Sequence, residues 1–488
     1  MHLSKLIPSN DGLTITGNGV VIQGLTADSR KVEAGFLFVA IPGTQHDGRL
    51  FIDEAIRRGA VAVLAPHGTI VPPHITLIET NYIRVTLGVI AARFYPRQPQ
   101  HIIAVTGTSG KTSTAQFTRE IWQTLGHVSA SIGTLGLVTA NETRYGSLTT
   151  PDAITLHRLM DECAGEGATH LAMEASSHGL FMNRLDQVKL KAGGFTNLSR
   201  DHLDFHGTME AYLAAKMRLF VDVLSPDGTA VLNADIPEFD TLRDAAHKRG
   251  LKILSYGHKG NDLRLMESRP DAGGQILTLE ILGKQQTVTL PIIGGFQAWN
   301  ALCALGMVIA CGDDPAKATA ALEHVSGVPG RLQKIGVSIT GGTVFVDYAH
   351  KPDALENVLQ ALRPHVAAHR GSKLGVIFGC GGNRDKGKRP LMGSIAQRLA
   401  DWVIVTDDNP RNEEPSIIRN EVLAGFTSGG TQPSDIGDRA KAIAEGINRL
   451  HKNDVLIIAG KGHEAGQIIG DTTLPFDDAE VARQAMSL

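Results

Sequence analysis

HIIAVTGTSGKT, residues 101–112, decides the fold class. An apolar run leads into a glycine turn, and Phe117, Ile121 and Leu125 then recur at helical spacing up to Gly126. A buried strand that turns through glycine into a helix opens an α/β layer. Such a turn offers backbone N–H groups and a helix N-terminus to an anion, with Lys111 in reach of terminal phosphates and the Thr112 hydroxyl available to magnesium. The complete GxxxxGK[ST] pattern is not met, because Val105 stands at its first glycine. The competing reading is a glycine turn of some other α/β protein. Strand, Lys and Thr together favour ATP.

Outward from this stretch the chain divides into three blocks. Residues 1–98 hold short apolar runs, GFLFVAI (35–41) and AVAVLA (60–65), and end in the polar, proline-bearing YPRQPQ (95–100). Residues 99–328 continue with the strand candidates THLAM, GGFTN, GTAVLN and KILSY and close at VSGVPGR (325–331). Residues 329–488 are the most regular, with TVFVD, LGVIF, WVIVT and DVLIIA separated by helical patterns such as DALENVLQAL. They predict a doubly wound parallel sheet. The expected architecture is α/β in three domains: a small N-terminal one, a central P-loop ATPase-like one, and a C-terminal Rossmann-like one. The Gly and Pro content of residues 326–330 predicts a hinge.

The strands of the third block each run into a polar or glycine-rich cluster: DYAHKPD (347–353), GCGGNRDKGKR (379–389), DDNPR (407–411) and GKGHE (460–464). Ligands of open parallel sheets bind outside the carboxyl ends of the strands, so these clusters should converge on one crevice.

Composition narrows the function classes. Lys plus Arg total 47 against 50 Asp plus Glu, a net charge of −3, which disfavours nucleic acid. Four scattered cysteines, Cys163, Cys303, Cys311 and Cys380, form no CxxC pair, so neither a disulfide framework nor a zinc knuckle is expected and a reducing cytoplasm fits. The opening MHLSKLIPSNDG lacks a long apolar region, and no apolar run reaches the roughly 18 residues of a spanning helix, so neither export nor membrane insertion is expected.

Other residues leave two readings each. Glu174, ending THLAME, suits a magnesium ligand or an ordinary surface or capping carboxylate. SRDHLDFHG brings Asp201, His202, Asp204 and His206 together, either as a metal or phosphate site or as a solvated loop. Lys216, in EAYLAAKMRLF, reads by itself as a helix lysine with its ammonium in solvent. Ser29, in DSR, reads as a turn residue.

The motifs resemble those of the ATP-dependent Mur ligases of bacterial cell-wall synthesis. The resemblance spans nearly the whole chain: LTADSR, GTQHDG, TGTSGKTST, SLTTPD, MEASSHGL, TNLSRDHLDFHG, NADIP, GGFQAWNAL, VPGR, VDYAHKPDAL, FGCGGNRDKGKRP, TDDNPR and AGKGHE. Their order and spacing are similar to those of members that add the third stem-peptide residue to UDP-N-acetylmuramoyl-L-alanyl-D-glutamate. The DNPR at 408–411 resembles the variant that adds meso-diaminopimelate.

The resemblance implies that the γ-carboxylate of D-glutamate attacks the γ-phosphate of ATP, and that the amine then displaces phosphate from the acyl phosphate. It implies ATP contacts from Gly107, Thr108, Ser109, Gly110, Lys111, Thr112 and Ser113, with Asn300, Arg331 and Asp347 holding adenine, phosphates and ribose as the third domain closes. It implies two magnesium ions: one at Thr112 and Glu174 with His202 lining the site, and a second bound through Lys216 as a carbamate formed with carbon dioxide. The nucleotide-sugar peptide falls to Ala27, Ser29, Thr44, Gln45, His46, Thr149, Thr150, Ser176, Met182 and Arg184. Met182 stands where the family often has glutamine, and TQH replaces an HQA-like triplet. Diaminopimelate falls to Arg384, Asp408, Asn409, Pro410, Arg411, Gly460 and Glu464: the arginines offer forks for its distal carboxylate, and Asp408 and Glu464 receive its distal ammonium. Alternatively, these arginines merely pair with Glu413 and Glu414. A cytoplasmic monomer serving peptidoglycan synthesis, and with it cell shape and division, is the family expectation. A folylpolyglutamate synthase or a lysine-adding ligase would change the first block or DNPR. A P-loop ATPase or nucleotide switch would hydrolyse ATP without an amine.

Overall fold

Continuous apolar runs become parallel strands here because both faces of each sheet are covered. The computed structural model describes residues 1–8, 12–43, 47–146, 148–271, 274–367 and 369–487. The chain forms two compact units, Met1–Arg264 with Leu302–Ala321, and Leu265–Ala301 with Leu322–Leu488. The second unit thus takes in residues 265–301, which the sequence blocks assign to the centre of the chain.

In the first unit, β1 (Thr14–Thr16), β2 (Gly24–Thr26), β3 (Phe36–Val39), β4 (Ala60–Ala65) and β5 (Thr76–Glu79) make a sheet of order β1-β5-β4-β3-β2, with only β1 antiparallel. The next sheet of this unit is built on β6 (His101–Thr106), β7 (Ser129–Gly133), β8 (Gly136–Val138), β9 (Thr143–Arg144), β10 (His170–Glu174), β11 (Leu190–Phe195), β12 (Thr229–Asn233) and β13 (Lys252–Gly257). Their order is β13-β12-β11-β6-β10-β7-β8-β9, parallel from β13 to β7. β6 lies at its centre between β10 and β11, so the loop that follows it opens between two strand ends. The helix after that loop runs Lys111–Thr124, with Leu125 as its C-cap rather than its last turn, because Gly126 at φ 89° takes the chain out of helical space.

β14 (Leu263–Asp271) starts beside β13, and its continuation belongs to the second unit with the antiparallel hairpin of β15 (Gly274–Ile281) and β16 (Lys284–Leu290). That unit's main sheet holds β17 (Gln333–Val337), β18 (Thr343–Asp347), β19 (Leu374–Phe378), β20 (Trp402–Val405), β21 (Ser434–Asp435) and β22 (Val455–Ala459), in the order β17-β18-β22-β19-β20-β21. Successive strand residues alternate between two cores: Phe345, Val376 and Phe378 pack with Leu355, Leu359 and Leu362 on one face, while Val344, Val346 and Ile377 pack with Ile443 and Ile447 on the other. The expected doubly wound parallel sheet is therefore present, with an antiparallel edge strand, β17, that its half-exposed, polar sequence QKIGV did not announce. A two-stranded ribbon, β23 (Gly466–Ile469) and β24 (Thr472–Pro475), follows. All four cysteines are free, and no helix among the described residues is long and apolar enough to cross a membrane.

Candidate functional site

The loop after β6 needs glycine for steric reasons. Gly107 has φ 145°, and a Cβ there would lie 1.9 Å from Thr196 Oγ1; Gly110 caps the helix at φ 87°. The end of β11 braces the loop. Thr108 N donates to Asn197 O at 2.9 Å, Ser109 N donates to Asn197 Oδ1 at 2.9 Å, and Thr196 Oγ1 donates to Ser109 O at 2.6 Å.

Two ammonium groups converge on this loop. Lys111 Nζ donates to Gly107 O at 2.8 Å and to Thr108 O at 3.0 Å, and Lys216 Nζ donates to the same Gly107 O at 2.8 Å. Lys216 is 1% exposed, which corrects the sequence reading of an ammonium in solvent. Its Nζ stands 4.4 Å over the ring of Tyr212, one helical turn earlier, whose hydroxyl lies 3.3 Å from Thr108 Oγ1. Burial first, and the like charge of Lys111 second, hold the Lys216 amine well below the ordinary lysine range. That environment disfavours the ammonium form relative to the neutral amine.

Glu174 ends β10 beside the loop strand, paired in register with Val105, and is 2% exposed rather than a surface carboxylate. Thr134 N donates to its Oε1 at 2.7 Å, and Thr134 Oγ1 lies 3.2 Å from Thr149 Oγ1. The Thr150 hydroxyl donates to Glu174 O at 2.8 Å and accepts from Ser176 N at 2.9 Å, and Arg184 donates to Thr150 O at 2.7 Å and lies 3.3 Å from Met182 Sδ. Thr149 and Thr150 of SLTTPD and Glu174 and Ser176 of MEASSHGL therefore form one hydrogen-bonded patch. A magnesium ion fits these residues: Glu174, at the end of β10, and the partly exposed Thr112 hydroxyl, in the first turn of the helix after the β6 loop, are hard oxygen donors. His202, with its backbone at φ 52°, stands in a ring cluster with His178 at 4.9 Å and Tyr212 at 6.3 Å, and His206 Nε2 lies 3.0 Å from Ser177 Oγ. His178, Tyr212, Thr134 and Asn197 escaped the sequence reading. Tyr212 could have been found from its position four residues before Lys216.

His127, His170 and Asp313 also bring donor atoms within 4.8 Å of one another. The two imidazoles are stacked, centroids 4.0 Å apart and planes at 25°. Their in-plane lone pairs do not meet at one ion, and His127 Nε2 is already 2.7 Å from Asp313 Oδ1. This cluster lies at the start of β10, the end away from Glu174.

In the N-terminal sheet, the Ser29 hydroxyl donates to Glu54 Oε2 at 2.7 Å, and Ala27 is exposed. Thr44, Gln45 and His46 lie outside the described residues.

In the second unit, Asp347 ends β18 and accepts from Leu332 N at 2.6 Å and Ala349 N at 2.8 Å, and burial pushes its carboxyl up to about 6. The Arg331 guanidinium lies 4.7 Å from the Tyr348 ring centroid, and Asn300 donates to Gln297 at 2.9 Å. The clusters after β19, β20 and β22 do converge. A Cβ on Gly382 would fall 1.9 Å from Pro410 O, and one on Gly460, at φ 120°, 2.6 Å from Asp408 Oδ2. Arg411 donates to Gly382 O at 3.0 Å, and Arg384 is exposed. Glu413 is held by Arg389 at 3.0 Å and Lys386 at 3.4 Å, so it is those cations, not Arg411 or Arg384, that occupy it. Arg389 and Lys461, both fully buried, were not singled out in the sequence.

Known proteins share this arrangement along the whole chain. Three family models match: Mur ligase family, catalytic domain, over residues 21–95; Mur ligase middle domain, over 105–308; and Mur ligase, glutamate ligase domain, over 330–462. A UDP-N-acetylmuramoyl-L-alanyl-D-glutamate--2,6-diaminopimelate ligase of Bradyrhizobium diazoefficiens is 51% identical, covering 100% of this chain and 99% of its own. One of the same name from Caulobacter vibrioides is 48% identical over 96% of each. A solved structure of such a ligase superposes with TM-score 0.72 at 34% identity, over 96% of this chain and 95% of that one. The MurF ligase of Thermotoga maritima in complex with ADP shares the fold at TM-score 0.60 and 21% identity, over 95% of this chain and 96% of that one. Identity of one half over the full length, on a fold with a braced phosphate loop, has one meaning: the chain belongs to the Mur ligase family.

Proposed function

We propose that this protein joins meso-diaminopimelate to the D-glutamate γ-carboxylate of UDP-N-acetylmuramoyl-L-alanyl-D-glutamate, with ATP converted to ADP and phosphate, in the cytoplasmic synthesis of peptidoglycan precursors. The observation that carries the reading is the meeting of Lys111 and Lys216 on Gly107 O. Two lysine nitrogens on one loop carbonyl set Lys111 to meet phosphate and place Lys216, whose ammonium form burial disfavours, at the same loop. Full-length relatives named for this reaction support the choice of substrates.

In this reading the three sequence blocks, 1–98, 99–328 and 329–488, serve the nucleotide-sugar peptide, ATP and diaminopimelate in turn. A carboxylate does not condense with an amine in water, so the work is positioning and charge neutralisation. Gly107, Thr108 and Ser109 shape the loop, the N–H groups of Gly110, Lys111, Thr112 and Ser113 at the helix start cradle phosphate oxygens, and Lys111 swings from the loop carbonyls to the transferred phosphoryl group. Thr112 and Glu174, with His202 at the rim, would hold one magnesium ion and Lys216 as its carbamate a second, and the two ions would neutralise phosphate charge. Asn300, Arg331 and Asp347 hold adenine, phosphates and ribose. Ala27, Ser29 and residues 44–46 with Thr149, Thr150, Ser176, Met182 and Arg184 hold the nucleotide-sugar peptide. The acyl phosphate is attacked by one amine of diaminopimelate, whose distal head meets Arg384, Asp408, Asn409, Pro410, Arg411, Gly460 and Glu464. Lysine lacks the distal carboxylate and would leave the half-buried Arg411 guanidinium without the anion it is there to meet, a loss that lowers the use of analogues.

Phosphate release from Mg-ATP and the UDP-MurNAc-dipeptide, with meso-diaminopimelate, L-lysine or no amine, tests this reading. Release with diaminopimelate alone is expected. Release with lysine would assign a different third residue, and release indifferent to amine would make the protein an ATPase.

A further inference from the structure

Beneath the 408–411 segment lies a cation that the reaction above does not use. Lys461 sits in the turn after β22, between Gly460 at φ 120° and Gly462 at φ 57°, and is 0% exposed. Its Nζ donates to Asn409 Oδ1 at 3.1 Å and to Gly466 O, and stands 3.5 Å from Glu464 Oε2. Asn409 Oδ1 accepts a second hydrogen bond, from Ile468 N at 2.9 Å. An amide oxygen that receives two donors cannot trade places with its NH2, so the Asn409 side chain has one orientation. Its Nδ2 then donates to Glu464 Oε2 at 2.9 Å. The ammonium thus sets the amide directly and the carboxylate twice, by its own attraction and through the amide.

Charge points the same way. Asp408, 7% exposed, and Glu464 lie close enough that both act on Tyr348 and on the buried Arg439 guanidinium. Two neighbouring carboxylates carry one more negative charge than a single ligand ammonium can cancel. With Lys461 Nζ 3.5 Å from Glu464 Oε2, a ligand ammonium meets a carboxylate that is already placed and partly neutralised.

We propose that Lys461 is a positioning and specificity-determining residue: it orients Asn409 and Glu464 and tunes the acidic cluster to accept one distal ammonium, so that it governs recognition of the distal amino group of the amine substrate. This rests on the diaminopimelate reading above.

The test compares meso-diaminopimelate with 2-aminopimelate, which keeps a reacting amine and the distal carboxylate but lacks the distal ammonium. Purified full-length wild type and Lys461→Met are assayed for the KM of diaminopimelate, the KM of ATP, and inhibition of diaminopimelate turnover by 2-aminopimelate. In Lys461→Met the KM for diaminopimelate should rise at least about tenfold, while the KM for ATP and the inhibition constant of 2-aminopimelate stay within about twofold. Equal weakening of both amino acids would reduce Lys461 to a structural role and overturn the proposal, as would no change in either. Lys461→Gln, which keeps one donor for Asn409, is read by the same split should the Met variant not fold. Failure of the wild type to use diaminopimelate would instead strike the function itself.

Discussion

At the residue scale, the Lys216 side chain is held by one carbonyl bond, by its place over the Tyr212 ring and by the charge of Asp201, while its ammonium form is opposed by burial first and by Lys111 second. Removing it relieves repulsion and leaves Gly107 O still bonded to Lys111. Lys216→Ala should therefore keep its circular dichroism and an unfolding midpoint within a few degrees of wild type, while diaminopimelate-dependent phosphate release falls by about a hundredfold or more. Full activity in that variant would remove Lys216 from the site. A second residue-scale effect concerns acid. Burial, aided by His127 and His101, depresses His170 from an ordinary 6.5 to about 4. A depressed histidine contributes stability above its unfolded value and loses it as pH falls from about 6.5 through about 4. His170→Phe keeps a ring in the stack and has no proton to take up. Its melting temperature should decline less steeply than that of wild type between pH 6.5 and 4; parallel declines would show that His170 does not titrate in that window.

At the scale of elements, the helices Arg439–Asn448 and Asp478–Met486 are tied by one ion pair. Arg439 Nε and Nη2 each reach Asp478 at 2.7 Å, both side chains are 0% exposed, and Nη2 also donates to Ala459 O at the end of β22. Breaking it from one side leaves an unpaired buried carboxylate, so Arg439→Met should cost about 3–5 kcal/mol, read as a lower melting temperature. Arg439→Met with Asp478→Leu should recover much of that loss. No recovery would assign the cost to the backbone carbonyls that Arg439 serves. The same scale shows what was readable in advance. Strands of Val, Ile and Leu covered on both faces announced themselves as apolar runs, and the glycine turn after β6 announced its helix. β17 did not, because an edge strand with exposed, polar positions carries no apolar period.

At the scale of the molecule, the cores behind the phosphate loop and behind the polar clusters of the second unit are built of apolar side chains. Stripping divalent cations with a chelator should therefore abolish phosphate release and leave the thermal transition in place, with activity restored by magnesium. A melting temperature that drops by more than a few degrees would show that a cation supports the fold. The α/β class, the strand-turn-helix at the phosphate loop and the four polar clusters at strand ends were legible in the residues alone, because these follow from local periodicity and from glycine at particular turns. Long-range packing is what buries Lys216 against a carbonyl 109 residues away, gives Glu413 to Arg389 rather than Arg411, and sets Lys461 on Asn409 from 52 residues away. Those facts depend on which strand ends the sheet order brings together, and a side chain's burial and partners across such separations leave no trace in its immediate neighbours.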